Sequence, residues 1–232
     1  MLPYWLKAQP VPSGFQKMPP VHGIASVIYY NGDLSPETRR EMEKLLPIEE
    51  WKSHYNPFSA DEIMFQTRPG FIDSLSEVPT STVIKMYTST FMKNPFLVTK
   101  DRLSGCELLW NVFQADGASN YSYEPNIEEN EFGFKHHENG LHKVLMGLLK
   151  FTGKALDPIT RRAGLFHILL LLVFVYMLRQ SRQHWLIFLP LIGANLSLVL
   201  SMTYQSFRYV YYIPLLMGLM WLLAVSNEKK QY

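Results

Sequence analysis

Few residues in this chain have the type and spacing that chemistry requires. His136, His137, Glu138 and His142 form the densest histidine group, but their order lacks the His-Glu-x-x-His spacing that sets two imidazoles on one helical face around a metal. They read as solvated loop histidines. Glu128, Glu129 and Glu131 carry charge enough for a cation but not the alternating oxygen ligands of a calcium loop, so they read as hydrated surface. Asn120-Tyr121-Ser122 matches a glycosylation sequon. The most suggestive group is YQSFRYVYY (residues 204–212), where Arg208 stands among Tyr204, Phe207, Tyr209, Tyr211 and Tyr212. A guanidinium binds phosphate through two parallel hydrogen bonds, and flanking tyrosines can hold a head group or stack on a sugar. The bland alternative is an aromatic belt with an arginine reaching to water. The sequence contains no phosphate-binding glycine loop, nucleophile elbow or Cys-x-x-Cys pair, so no self-contained active site is visible.

The elements that must position these residues fall into two kinds. Three apolar stretches occupy residues 163–178 (AGLFHILLLLVFVYML), 185–203 (WLIFLPLIGANLSLVLSMT) and 209–225 (YVYYIPLLMGLMWLLAV). Each approaches the ~20 residues that a helix needs to cross a bilayer core, so the expectation is a multi-pass protein of the cell membrane with three transmembrane helices over residues 163–225. His167, Pro190 and Asn195 would then face other helices, from this chain or another, because polar groups facing lipid are costly. Arg179, Arg182, Lys229 and Lys230 stand on one side of the spans, against Lys154, Arg161, Arg162 and Arg208 on the other. The counts tie, and the orientation adopted is an inside tail at residues 226–232 with the N-terminal region extracytoplasmic. Residues 1–20 lack a continuous apolar run, which argues against a cleaved secretory signal.

The other two thirds are polar enough to bring mean hydropathy to −0.04. With 22 Lys and Arg against 20 Asp and Glu, the net charge of +2 gives no reason to expect nucleic acid as a partner. The single cysteine, Cys106, excludes an internal disulfide framework. Residues 1–140 read as a mixed, mostly helical region, making the chain mainly α. Residues 21–30 (VHGIASVIYY) fit a short strand or a buried helix. Ser35 as cap, Pro36 at the first position and Glu37 in the first turn start a helix that Pro47 stops. Residues 48–55 suggest a second short helix, and residues 80–91 recur at helical spacing although their threonines would also suit a strand. Residues 103–113 (LSGCELLWNVF) suggest a dense helix for a core or a membrane interface. Residues 141–156 (LHKVLMGLLKFTGKAL) place Leu141, Val144, Leu145, Leu148 and Leu149 on one face with Lys143 and Lys150 off it, the pattern of an amphipathic helix lying on a bilayer surface.

Residues 18–65 (MPPVHGIASVIYYNGDLSPETRREMEKLLPIEEWKSHYNPFSADEIMF), 93–103 (KNPFLVTKDRL) and 207–216 (FRYVYYIPLL) together resemble the C-terminal half of large polytopic membrane proteins of Gram-positive bacteria. Those proteins look like GT-C-type glycosyltransferases that use lipid-phosphate sugars. The shared motifs are a Pro-His or Pro-Gln helix entry, Tyr-Asn-Pro followed by an acid, Asn-Pro before an interfacial helix, and Arg-Tyr opening a late span. The resemblance implies an acceptor- or donor-binding role in cell-envelope glycan assembly. It also implies a polyprenyl-phosphate-sugar donor and, in an N-terminal half that this chain does not contain, the catalytic acidic loop and a divalent cation. His22, Asp61, Arg208 and Tyr209 match its motifs and are the positions it nominates for sugar or lipid-phosphate contact. The alternative is a non-catalytic, membrane-anchored binding or assembly module.

Overall fold

The computed structural model describes residues 11–113, 140–160, 163–180, 186, 188–202, 212, 213, 216, 218 and 221. Among the described residues every regular element is a helix, α1 to α11, and the chain divides into two compact units. The first comprises Met1–Cys106 with Asn195–Gln205, the second Glu107–Ala194 with Ser206–Tyr232.

The first unit is built around α1 (Ser13–Tyr29). Its strand alternative at residues 21–30 is resolved as helix, and that helix starts eight residues ahead of the apolar run. Pro19 and Pro20 lie inside it. Each removes an N–H that would bond the carbonyl four residues earlier, at a cost of about 3 kcal/mol in an ordinary helix interior. Burial all round outweighs that cost: Met18, Val21, Ile24, Ala25 and Val27 are fully buried, each worth roughly 1.5–3 kcal/mol for the larger side chains. Around α1 pack α3 (Ile48–Ser53), α5 (Phe71–Glu77), α6 (Thr80–Lys93) and α7 (Pro95–Gly105). Gly14 lets α5 approach closely, since a Cβ there would lie 2.2 Å from the Ile72 carbonyl oxygen.

Local signals in this unit behave as read. Ser35 Oγ accepts the Thr38 N–H (3.1 Å) and caps α2 (Pro36–Leu45), with Pro36 at the first position. Trp51 on α3 is fully buried, meets Phe71 edge-on at 5.7 Å, and donates its indole N–H to the Met42 carbonyl (3.0 Å). Residues 80–91 are helical within α6. Between α3 and α6 lie α4 (Asp61–Phe65) and α5, which the Gly70 residue introduces with a left-handed φ of 74°. Lys17, buried on α1, donates to the carbonyls of Leu75 (3.3 Å), Ser76 (2.7 Å) and Val78 (2.7 Å). A cation thus satisfies the negative C-terminal end of α5.

Residues 103–113 do not form one helix. α7 ends at Gly105, Cys106 turns with φ −115° and ψ 22°, and α8 (Glu107–Trp110) follows. Glycine is about 1 kcal/mol poorer than alanine in a helix interior, so the chain breaks there readily. Leu108 and Leu109 are buried whereas Trp110 and Phe113 are exposed.

In the second unit α8 packs on α10 (Ala163–Gln180). Gly164 permits this, because a Cβ would sit 2.3 Å from the Asn111 carbonyl oxygen. Phe166, Leu170, Val173 and Met177, spaced four, three and four apart, form the buried face of α10, while Ile168, Leu171, Leu172 and Val175 are exposed. α9 (Gly140–Thr160) precedes α10 and covers the expected amphipathic segment; α11 (Leu189–Ser201) follows, and from Asn195 onward it belongs to the first unit.

The expectation of three transmembrane helices and a multi-pass location is overturned: among the described residues, no helix is long and apolar enough to cross a membrane. α10 has 18 residues, the last two being Arg179 and Gln180, and extends about 27 Å at 1.5 Å per residue. α11 has 13 residues and extends about 20 Å. Both fall short of the roughly 30 Å hydrocarbon core. α9 is longer at 21 residues but carries Lys143, Lys150, Lys154 and Asp157. The third expected span, residues 209–225, and the tail at 226–232 lie outside the described residues apart from scattered positions.

Candidate functional site

One group of buried ionisable side chains lies in the first unit, where α1, α7 and the loop after α3 meet. α1 contributes His22, 2 % exposed, and α7 contributes Asp101 and Arg102. Val98, Asp101 and Gly105, at helical spacing, form the buried face of α7, which carries a carboxylate into the core. The turn that ends α3 delivers Tyr55 and Asn56, its chain held by the Ser59 N–H on the Asn56 carbonyl (3.2 Å).

Four donors converge on the Asp101 carboxylate. Oδ1 accepts from His22 Nδ1 (2.8 Å) and the Tyr55 hydroxyl (2.8 Å); Oδ2 accepts from Arg102 Nη2 (2.9 Å) and Nε (3.1 Å). His22 Nε2 lies 3.1 Å from the Asn56 carbonyl oxygen. The His22 Nδ1 also lies 3.5 Å from Arg102 Nη2, so the ring sits between a backbone carbonyl on one side and the Asp101–Arg102 pair on the other. Arg102 Nη1 reaches the Met202 carbonyl at 3.4 Å. Tilted rings pack around the group, with His22 and Tyr55 at 5.1 Å and Tyr29 and Tyr55 at 4.9 Å between centroids.

The electrostatics follow from these contacts. Burial is the largest influence on the Asp101 carboxyl and pushes its pKa up, but the charges and hydrogen bonds of His22 and Arg102 together outweigh it and hold the group at about 2. Burial first, and then the adjacent Asp101 charge, push the Tyr55 phenol far above its ordinary value, so its hydroxyl stays a donor. The Cys106 thiol nearby is likewise raised by burial, the opposite of what a nucleophilic thiolate needs. An Asp–His pair can in general move protons. Here the outer nitrogen of the ring is turned to a backbone carbonyl, and the four side chains with Asn56 form a closed, charged crosslink that ties α1, α7 and the Tyr55-Asn56 turn together.

Of the positions nominated from sequence, His22 enters this group. Asp61 opens α4, partly buried, with its N–H on Ser59 Oγ (3.1 Å). Arg208 and Tyr209 lie outside the described residues, as do His136, His137, Glu138 and the acidic run at 128–131; His142 lies on α9. Asp101, Arg102 and Tyr55 were missed as site residues. The signal was present in the register of α7, where a core position at i+3 from Val98 holds an aspartate followed by an arginine. Among the described residues no group of His, Cys, Asp and Glu could hold a metal ion. An open cleft of about 530 Å³ between α2, α5 and α6 is lined by Glu37, Glu41, Lys44, Arg68 and Glu77. Rim charges pair with neighbours, Lys44 with Glu41 at 2.6 Å and Glu37 with Lys85 at 2.8 Å, as on a hydrated surface.

The second candidate is a surface. On α9, Leu141, Val144, Leu145, Leu148 and Phe151 are 50–71 % exposed. They recur at spacings of three and four, which gathers them on one side of the helix. Lys143 and Lys150 are exposed on the opposite side, about 180–200° around the axis from Leu141 at 3.6 residues per turn. α9 makes no extensive packing contact with another described helix.

No family model, no curated protein and no solved structure matches this chain. The resemblance to GT-C-type glycosyltransferases therefore gains no support from known proteins.

Proposed function

We propose that this chain is a non-catalytic binding and assembly module that engages its partner through the apolar face of α9. The observation that carries this reading is the exposure of five large apolar side chains on one side of a 21-residue helix. Contiguous apolar patches on single soluble chains are small, and larger ones mark interaction sites. Covering such side chains gains about 25 cal/mol for each Å² removed from water. The buried His22–Asp101–Arg102–Tyr55 group supports the same reading, because it spends its hydrogen bonds on joining helices and gives the first unit a fixed internal geometry.

The test is binding of the full chain to neutral dodecyl maltoside micelles, followed by sedimentation, for the native sequence and for the double variant Leu145→Glu/Leu148→Glu. Both positions are exposed, so the variant keeps its helical circular dichroism. The expected result is at least tenfold weaker micelle binding by the variant. Equal binding by the two chains would sink the reading, since the micelle would then be held elsewhere.

A further inference from the structure

Charge distribution on α9 narrows the partner. Between Leu141 and Leu156 the sequence LHKVLMGLLKFTGKAL contains lysines and no aspartate or glutamate. The apolar face is aliphatic apart from Phe151, and the exposed lysines Lys143 and Lys150 lie on the far side. This is the design of a helix that lies in the plane of a membrane surface. The apolar face enters the boundary of the acyl chains by about 5–10 Å, and the polar face remains in water among the head groups. The same unit also exposes Ile168, Leu171, Leu172 and Val175 on α10. Fluid hydrocarbon covers such side chains without a preformed complementary groove, whereas a protein partner would need one for each face.

We infer that α9 docks this protein in the plane of an anionic lipid surface, its apolar face setting the depth and Lys143 and Lys150 selecting negative head groups. The inference rests on the preceding reading of α9 as the binding face and adds the chemistry of what it binds. Juxtamembrane lysines gain from the negative surface potential of anionic lipid, and salt screens that gain within about a Debye length.

The experiment is co-sedimentation of the full chain with vesicles of phosphatidylcholine alone and with vesicles containing one quarter phosphatidylglycerol. It is run at low salt and at 0.5 M NaCl, beside Lys143→Gln/Lys150→Gln and Leu145→Glu/Leu148→Glu. The expected result is binding to the anionic vesicles that weakens in high salt, falls about fivefold for each lysine replaced, and is lost in the Leu variant. Lysine substitutions on an exposed helix face leave the fold intact, so their effect reads charge directly. Equal binding to both vesicle types, unchanged by salt or by the lysine substitutions, would overturn the anionic preference and leave the α9 binding face standing. Binding to neither vesicle, with α9-dependent self-association in sedimentation velocity, would overturn the lipid surface as the occupant. Loss of micelle binding in the companion experiment remains the separate criterion for the binding face itself.

Discussion

Asp101 concentrates more of this fold's polar energetics than any other described side chain. It accepts from His22, Tyr55 and Arg102 while its own side chain is fully buried. Asp101→Asn removes the buried counter-charge of Arg102 and replaces one of the two acceptor oxygens with an NH2 donor facing other donors, a situation that costs about 3–5 kcal/mol. Urea unfolding of the variant at pH 7 should show that loss. The carboxyl is held at about 2, against 3.8 for the free group. A depressed carboxylate contributes stability that is fully present above the unfolded value and is lost as pH falls through the folded value. Asp101 should therefore contribute about 2 kcal/mol at neutral pH that disappears between about pH 5 and pH 2. Asp101→Asn should show a correspondingly flatter acid limb; a limb as steep as that of the native chain would assign the acid sensitivity to other groups. Sequence reasoning reached His22 through a motif; the register of α7 marks Asp101 as a core aspartate, but no short-range rule gives its partner, because the pairing spans 79 residues of chain, from position 22 to position 101.

Elements differ in how far their own residues specify them. α2 is local chemistry throughout: Ser35 caps it, Pro36 opens it, Glu37 meets the positive end of its dipole and Lys44 the negative end. Ser35→Ala should cost about 1 kcal/mol of stability, readable as a small shift in the urea midpoint with an unchanged slope. A neutral result would mean that tertiary packing alone holds the start of α2. α1 is the contrary case. Its two internal prolines argue locally for a break, yet the helix runs through them because α3, α5, α6 and α7 pack around it. The break at Cys106 was hidden for a related reason, since LSGCELLW has helical apolar spacing on both sides of a glycine that only weakly favours a turn.

Within the whole molecule, stability should be uneven. α1 is buried along nearly its whole length, while α9 shows its apolar face to solvent and makes no extensive helix contact. Native-state hydrogen exchange should find α1 amides among the slowest, exchanging only with global unfolding, and α9 amides orders of magnitude faster through local opening. Protection of α9 equal to that of α1 would mean that the helix is held by contacts as extensive as those of the core. The sequence by itself determined that the chain is mainly helical, where α2 and α3 begin, and that residues 141–156 form an amphipathic helix, because capping residues, prolines and periodicity act over one or two turns. Apolar composition alone suggested membrane spans at residues 163–178 and 185–203. The tertiary structure decided otherwise: among the described residues no helix, α10 and α11 included, is long and apolar enough to cross a membrane. It also decided that Lys17 would close α5 and that His22 would find Asp101, since such pairings are set by which helix faces meet and no short-range rule encodes them.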